Sequence, residues 1–360
     1  MGFGGLISVR EAHIKNVLLI SEVISYPFDE GLKNIVFQLC QILKSKKEVC
    51  FITKSGNQTT TIPADHVRLN KLFLNRRLRQ IIRSFMPDLI IYVPEASCTF
   101  NSFLRARMLK LMSQGTKLVL LASHPIRHKA IRKAFLSYLR PDYLFLLGGS
   151  DKIFYEERGI KTKVLPPAVD SRRFHKVEFE DKIRLRKNHQ LPTGKTIVLH
   201  VGHVNLNRNI DCLEELQAMK NTQVILVGST TTKADAKLKQ HLEKLGVIVL
   251  KSYLPRIEEL YQLSDIYLFP VSSETGAIEM PLSILEALAC NLPVVTTRFG
   301  GIPDYFKEDC AFRFIRNVAE MLEAVNSVER EDVKNDKKVE EFTWERFVDE
   351  ILTTCGAPFE

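Results

Sequence analysis

A glutamate inside an apolar helical pattern, an arginine six residues beyond a strand-ending glycine, and a histidine closing a buried strand are the residues of this chain best placed for chemistry. Glu286 lies among Leu282, Leu285, Leu288 and Ala289, a spacing that predicts a helix with a carboxylate near its start. Facing a cleft, such a carboxylate accepts two hydroxyl hydrogen bonds, as a ribose diol requires, and the N–H groups of the same helix start suit a diphosphate. Arg208 follows the run TIVLHVG (196–202); it is always charged and grips two phosphate oxygens at once. His203, between them, is mostly neutral at pH 7. Singly, each residue also fits a bland role: a solvated helical glutamate, a loop arginine, a satisfied histidine.

The elements that must hold these residues alternate along the chain. Apolar runs predict strands at 16–21, 48–53, 89–93, 117–122 and 143–147, with a helix over 31–45. A second series starts at 196–202 and continues at 223–228, 247–250, 266–269 and 293–296. Near-continuous apolar strands separated by helices predict parallel sheets covered on both faces. Two series predict two doubly wound α/β domains, with a break near Pro166-Pro167 and the ligand at the carboxyl ends of the strands, in the cleft between domains.

Charge is uneven. Residues 1–163 hold 26 Lys and Arg against 12 Asp and Glu, net +14, whereas the remainder is net −5. Residues 68–140 alone carry 15 basic and 2 acidic side chains, a field that implies an anionic partner. The basic residues lie on helical patterns at 73–85 (Arg76, Arg77, Arg79, Arg83), 103–112 (Arg105, Arg107, Lys110) and 126–139 (Arg127, Lys129, Arg132, Lys133). Three in succession favour contact with an anionic membrane surface, each charge near lipid contributing about 1 kcal/mol. Nucleic acid is not expected, because no aromatics interleave with the basic residues and no recognition motif is present. No run approaches a membrane span, and the N-terminal residues lack a secretory pattern. Seven cysteines without a C-x2-C pair suggest neither a zinc site nor a disulfide framework, and a cytoplasmic setting is expected.

Several segments resemble the GT4-type retaining glycosyltransferases (glycosyl transferases group 1), which adopt the GT-B fold. Residues 285–295 (LEALACNLPVV) match the family's E-A-x-A-x-G-x-P-V-V, and Gly300-Gly301-Ile302-Pro303-Asp304 its G-G-x-x-E with Asp for Glu. Gly202, His203 and Arg208 fall where the family has the Gly, Arg and Lys of V-G-R-L-x-x-x-K-G. Gly31 matches the second glycine of its first strand–helix turn. His124, ending VLLASHP (119–125), matches a histidine near the transferred sugar. Tyr253 falls in the segment near the nucleobase, and Trp344-Glu345-Arg346 resembles the start of the family's returning C-terminal helix.

The sugar side of the motif departs from the family. Ile278 stands eight residues before Glu286, where the family's first glutamate belongs; Glu279 is one position off, and Glu274 has the right distance from Pro270 but an insertion behind it. Pro281 takes the usual glycine position and removes a backbone donor.

The resemblance implies a GT-B architecture: two Rossmann-like domains at 1–166 and 167–342, facing across a cleft, with 343–360 crossing back to the first. It implies transfer, with retention, of a hexose-type sugar from a UDP- or GDP-linked donor to a hydroxyl acceptor, here expected to be anionic or lipid-linked at a cytoplasmic membrane face. His124, Arg208 and Glu279 are the implied catalytic residues. Gly31, Gly202, His203, Arg208, Tyr253, Glu274, Leu282, Glu286, Gly300 and Gly301 are the implied donor-binding set. No D-x-D carboxylate pair is present, so neither a metal nor another cofactor is expected. A catalytically silent partner that binds nucleotide sugar or glycan, and another enzyme on the same fold such as a sugar-nucleotide epimerase, stay open.

Overall fold

The computed structural model describes residues 14–356, apart from 25, 29, 56–64, 68, 231–233, 275 and 332. Two parallel sheets carry it. The first comprises β1 (Asn16–Val23), β2 (Glu48–Ser55), β3 (Asp65–His66), β4 (Leu89–Val93), β5 (Lys117–Ala122), β6 (Tyr143–Leu146) and β7 (Thr162–Val164), in the order 3-2-1-4-5-6-7. The second comprises β8 (Thr196–Val201), β9 (Thr222–Val227), β10 (Ile248–Leu250), β11 (Ile266–Phe269), β12 (Val294–Thr296) and β13 (Phe312–Phe314), in the order 10-9-8-11-12-13. In each sheet the chain winds outward on one side of its first strand, then returns to build the other. Such a reversal of strand order leaves a crevice at the carboxyl ends, beside β1 and β4 in one sheet and β8 and β11 in the other.

The central strands are buried along their whole length, as Leu89–Val93 and Thr222–Val227 show, because helices cover both faces and no position of the pleat meets water. Separate apolar clusters pack the outer face of each sheet, around Phe103 and Tyr155 in the first and Leu213 and Met321 in the second. A third cluster runs from Leu19 and Phe145 through Leu165, Val169 and Phe174 to Tyr267 and Leu285, and takes in Trp344, Phe347 and Ile351. The two domains therefore share apolar packing along the 165–174 link and the last helix. That helix, Trp344–Gly356, lies on the first domain: Lys163 pairs with Glu350, and Lys117 Nζ donates to the Cys355 carbonyl at 2.7 Å.

The three basic stretches differ. Helix Arg76–Phe85 buries Leu78 and Ile82 and leaves Arg76, Arg77, Arg79 and Arg83 exposed, with Asn75 capping the N–H groups of Arg77 and Leu78. In Phe100–Met112 the charge turns inward: Arg105 pairs with the buried Glu22, and Lys110 with Asp142. Two of the three basic residues of this stretch are thus tied to acidic partners on β1 and beside β6, and only Arg107 keeps a half-exposed position without a carboxylate partner among the described residues. The third is only a short helix, Ala130–Phe135, and a following 3-10 turn. It exposes Phe135 and Tyr138 together with Arg132 and Lys133.

Candidate functional site

A cavity of about 570 Å3 lies between the sheets, lined by residues that follow the carboxyl ends of strands in both domains. The first domain contributes Gly31 after β1, Glu95 after β4, and Ser123 and His124 after β5. The second contributes Gly202, His203 and Arg208 after β8, Ser229 after β9, Tyr253 after β10, and the 276–286 segment after β11. Of the residues singled out from sequence, Gly31, His124, Gly202, His203, Arg208, Tyr253, Leu282 and Glu286 line this cavity.

Arg208 sits in the one-turn segment Leu206–Arg208 that folds back over the end of β8. Its guanidinium approaches so close that a Cβ on Gly202 would fall 2.0 Å from its Nη1, which is why glycine holds that position. Arg208 is 8% exposed and its Nε has no hydrogen-bond partner. Burial pushes its guanidinium down to about 10, still fully cationic at neutral pH. Among the described residues no carboxylate pairs with it. A buried cation left without a counter-ion is costly, and an anionic ligand in the cavity offsets that cost.

Glu286 lies one turn into helix Leu282–Ala289, on the face that Leu282 and Ser283 share. Residues four apart stand one above the other on a helix, so this face looks into the cavity while Ile284, Leu285, Ala287 and Leu288 are buried behind it. Tyr261 donates its hydroxyl to Glu286 Oε2 at 2.7 Å. Burial raises the Glu286 carboxyl, against the lowering effect of that bond and of Arg173. One carboxylate oxygen is thus committed to Tyr261. Arg173, which sequence spacing did not single out, is tied down by Glu258 at 2.7 Å and the Pro255 carbonyl at 2.9 Å.

His124 is held by its backbone. Ser97 Oγ donates to its carbonyl at 2.6 Å and accepts from the N–H groups of Ser123 and His124, each at 3.1 Å. Its ring Nδ1 lies 3.0 Å from Ser123 Oγ, and burial lowers its pKa, so the neutral imidazole faces the cavity. Tyr253 meets Tyr26 of the first domain edge-on, ring centroids 5.0 Å apart, so an aromatic contact bridges the cleft.

Glu274, Glu279, Gly300 and Gly301 are not among the lining residues. Glu274 is exposed and pairs with Arg127 of the first domain at 2.7 Å. Glu279 is buried in a staple between the domains. Its carboxylate accepts the Ser150 N–H at 2.8 Å, its own N–H donates to the Ser123 carbonyl at 2.8 Å, and its carbonyl accepts the Gly301 N–H at 2.9 Å. Gly300 adopts φ +49°, and a Cβ there would fall 2.2 Å from the Glu279 carbonyl oxygen; the glycine pair seats Glu279. Ile278 fills the place opposite: its Cδ1 would lie 3.0 Å from a Cβ on Gly31. Among the described residues no group of three His, Cys, Asp or Glu side chains is arranged to hold a metal ion.

The Glu279 carboxyl is raised above its ordinary 4.5, first by burial and further by Asp151 and Asp304. The folded chain therefore keeps this proton at a pH where the unfolded chain has released it. Stability from the group is present below the ordinary carboxylate range and lost as pH rises through the folded value. Glu279→Gln keeps an acceptor for Ser150 without charge. Its melting temperature relative to wild type is expected to climb between pH 4 and pH 8 in thermal scans; a difference flat with pH contradicts the assignment.

Two facing Rossmann-like domains with a cavity at the strand ends define the GT-B class. Residues 181–343 match the family model of glycosyl transferases group 1, the family that the motifs of this half of the chain resemble. The chain is similar over 147 residues, at 29% identity, to the sulfoquinovosyl transferase SQD2 of Arabidopsis thaliana, covering 39% of this chain and 27% of that one. Over 223 residues it is 26% identical to the D-inositol 3-phosphate glycosyltransferase of Geodermatophilus obscurus, covering 56% and 48%. Both matches span less than half of the relative's own length. The crystal structure of Anabaena Alr3699/HepE in complex with UDP-glucose superposes with a TM-score of 0.73 at 14% identity, over 95% of this chain and 99% of that one; at that identity the likeness shows the fold.

Proposed function

We propose that the protein is a retaining glycosyltransferase that moves a hexose-type sugar from a UDP- or GDP-linked donor to a hydroxyl acceptor. The observation that carries this reading is Arg208: a buried, uncompensated cation behind Gly202, in a cavity that also presents Glu286. Arg208 and His203 meet the diphosphate, and the free Glu286 oxygen accepts from the ribose. Departure of the nucleoside diphosphate concentrates negative charge on the leaving oxygens, and a fixed guanidinium stabilises that charge more in the transition state than in the ground state. His124, neutral and held by Ser97, borders the transferred sugar from the first domain. The GDP-mannose-dependent alpha-mannosyltransferase of Corynebacterium glutamicum, 27% identical over 160 residues (44% of this chain and 34% of that one), and the UDP-glucose complex of HepE support the donor class. The reading needs no metal, because the Arg208 guanidinium supplies positive charge at the diphosphate.

Calorimetric titration of UDP, GDP and their sugars, in EDTA, tests the reading. One nucleotide is expected to bind wild type selectively and to bind Glu286→Ala and Arg208→Ala at least about tenfold more weakly. Silence of the whole panel overturns it and favours a non-catalytic relative.

The acceptor is proposed to lie at an anionic, cytoplasmic membrane face. No described helix is long and apolar enough to cross a membrane. The exposed Arg76, Arg77, Arg79 and Arg83, and the exposed Phe135 and Tyr138 beside Arg132 and Lys133, support surface contact. Binding to anionic vesicles is expected to fall with added salt and to drop when the four arginines are reversed to glutamate. Binding indifferent to both changes removes the membrane from the proposal.

A further inference from the structure

His200 lies on β8 two residues before Gly202 and is fully buried. Its Nδ1 is 2.9 Å from the Leu268 carbonyl oxygen. A carbonyl only accepts, so the ring proton is on Nδ1 and Nε2 carries a lone pair. Nε2 has no hydrogen-bond partner. Burial, and then the charge of Arg208, push the imidazole down to about 3, so it stays neutral at any working pH. An unmet acceptor in a core costs its full desolvation, which makes its placement informative.

A donor stands close by. A Cβ on Gly202 would fall 2.0 Å from Arg208 Nη1 and 3.0 Å from His200 Nε2. The two groups therefore share the space that the missing side chain leaves, and Arg208 Nε is itself without a partner. A neutral acceptor suits this place better than the alternatives. A carboxylate would pair with Arg208 and compete with an anionic ligand, and a second cation would repel it. An imidazole lone pair can orient the guanidinium without neutralising it.

We propose that His200 is a positioning residue: in the nucleotide complex its Nε2 accepts an Arg208 N–H across Gly202, so that the remaining N–H groups are turned toward the diphosphate. The inference rests on the donor-binding reading above and goes beyond it by assigning the residue behind the phosphate contact.

UDP and GDP are titrated into the full chain as wild type, His200→Gln, His200→Phe, Arg208→Met and the Arg208→Met/His200→Phe double variant. Nitrogen-15 spectra follow His200 in wild type. His200→Phe is expected to weaken the nucleotide that binds by about 5–30-fold. His200→Gln, whose amide oxygen reaches the place of Nε2, should recover most of that loss. With Arg208 replaced by Met, the change at 200 should have no further effect. The wild-type Nε2 resonance should shift upfield on nucleotide addition while Nδ1 stays protonated. Equal losses in both Arg208 backgrounds, no rescue by Gln, or an unmoved Nε2 signal in a chain that binds nucleotide each overturn the proposal. If the Phe variant does not fold, the Gln variant and the wild-type spectra decide. Failure of wild type to bind either nucleotide overturns the donor-binding reading itself, and this inference with it.

Discussion

Arg208→Met is expected to make the unliganded protein more stable while removing most of its activity. Arg208 is buried, its Nε is unpartnered, and among the described residues no carboxylate pairs with it. Methionine follows the path of the arginine stem and leaves no charge to desolvate. Replacing buried charge by apolar groups of similar volume stabilises proteins by about 1–4 kcal/mol in favourable cases, so a rise of a few degrees in melting temperature is expected without nucleotide. The same change deletes the group proposed to meet the leaving diphosphate. Loss of one such preorganised donor lowers kcat about 10²–10³-fold, and product formation from the donor identified by titration should fall by that order. Stability and activity then move in opposite directions, which an arginine holding the fold together cannot produce. A variant that melts earlier and keeps its turnover would show that Arg208 serves packing.

How far the sequence predicts this arrangement depends on the range over which each feature is determined. The long strands are readable because their apolar runs are unbroken: NVLLIS became β1 and TIVLHV became β8. The edge strands Asp65–His66, Thr162–Val164 and Phe312–Phe314 were not anticipated. Each is two or three residues long and takes its register from a neighbour, so local pattern holds too little of the information. The side of the site proposed to hold phosphate is equally local. Gly202 and Arg208 are six residues apart on one strand–turn unit, and spacing alone brings them together. The side proposed to hold the sugar is not local. Glu279 answers to Ser150, 129 residues earlier, and to Ser123, Gly148 and Gly301. Motif spacing compares it with Glu286 on its own segment, whereas Ser123, Gly148 and Ser150 lie across the cleft. His200 was invisible for another reason. A histidine inside an apolar strand pattern reads as core until the Leu268 carbonyl and the Gly202 gap show where its two nitrogens point.

The Glu279 staple leads to the second large effect, Gly148→Ala. Gly148 follows β6 in the first domain, and a Cβ there would fall 2.5 Å from Glu279 Cγ and 2.6 Å from its Cδ. Real Cβ atoms do not approach so closely, so the buried carboxylate must leave Ser150 or the two domains must part. Overpacking of this kind costs about 1–3 kcal/mol. The larger consequence is functional. Glu279 continues directly from Gly276, Ala277 and Ile278, which line the cavity opposite Gly31, so displacing the staple moves the wall where the donor sugar is proposed to lie. A misplacement of about 1 Å near the reacting centre can cost about 10²-fold in rate, and Gly148→Ala is expected to approach that loss while nucleotide affinity, proposed to rest on Arg208 and Glu286, changes little. Glu279→Ala removes the atoms that collide. It forfeits the Ser150 bond but opens the space that an alanine at 148 needs. The double variant Gly148→Ala/Glu279→Ala should therefore melt well above the sum of the two single losses. Strict additivity in thermal scans would mean that the two residues do not meet, and that the domains of the protein in solution are arranged differently along this seam.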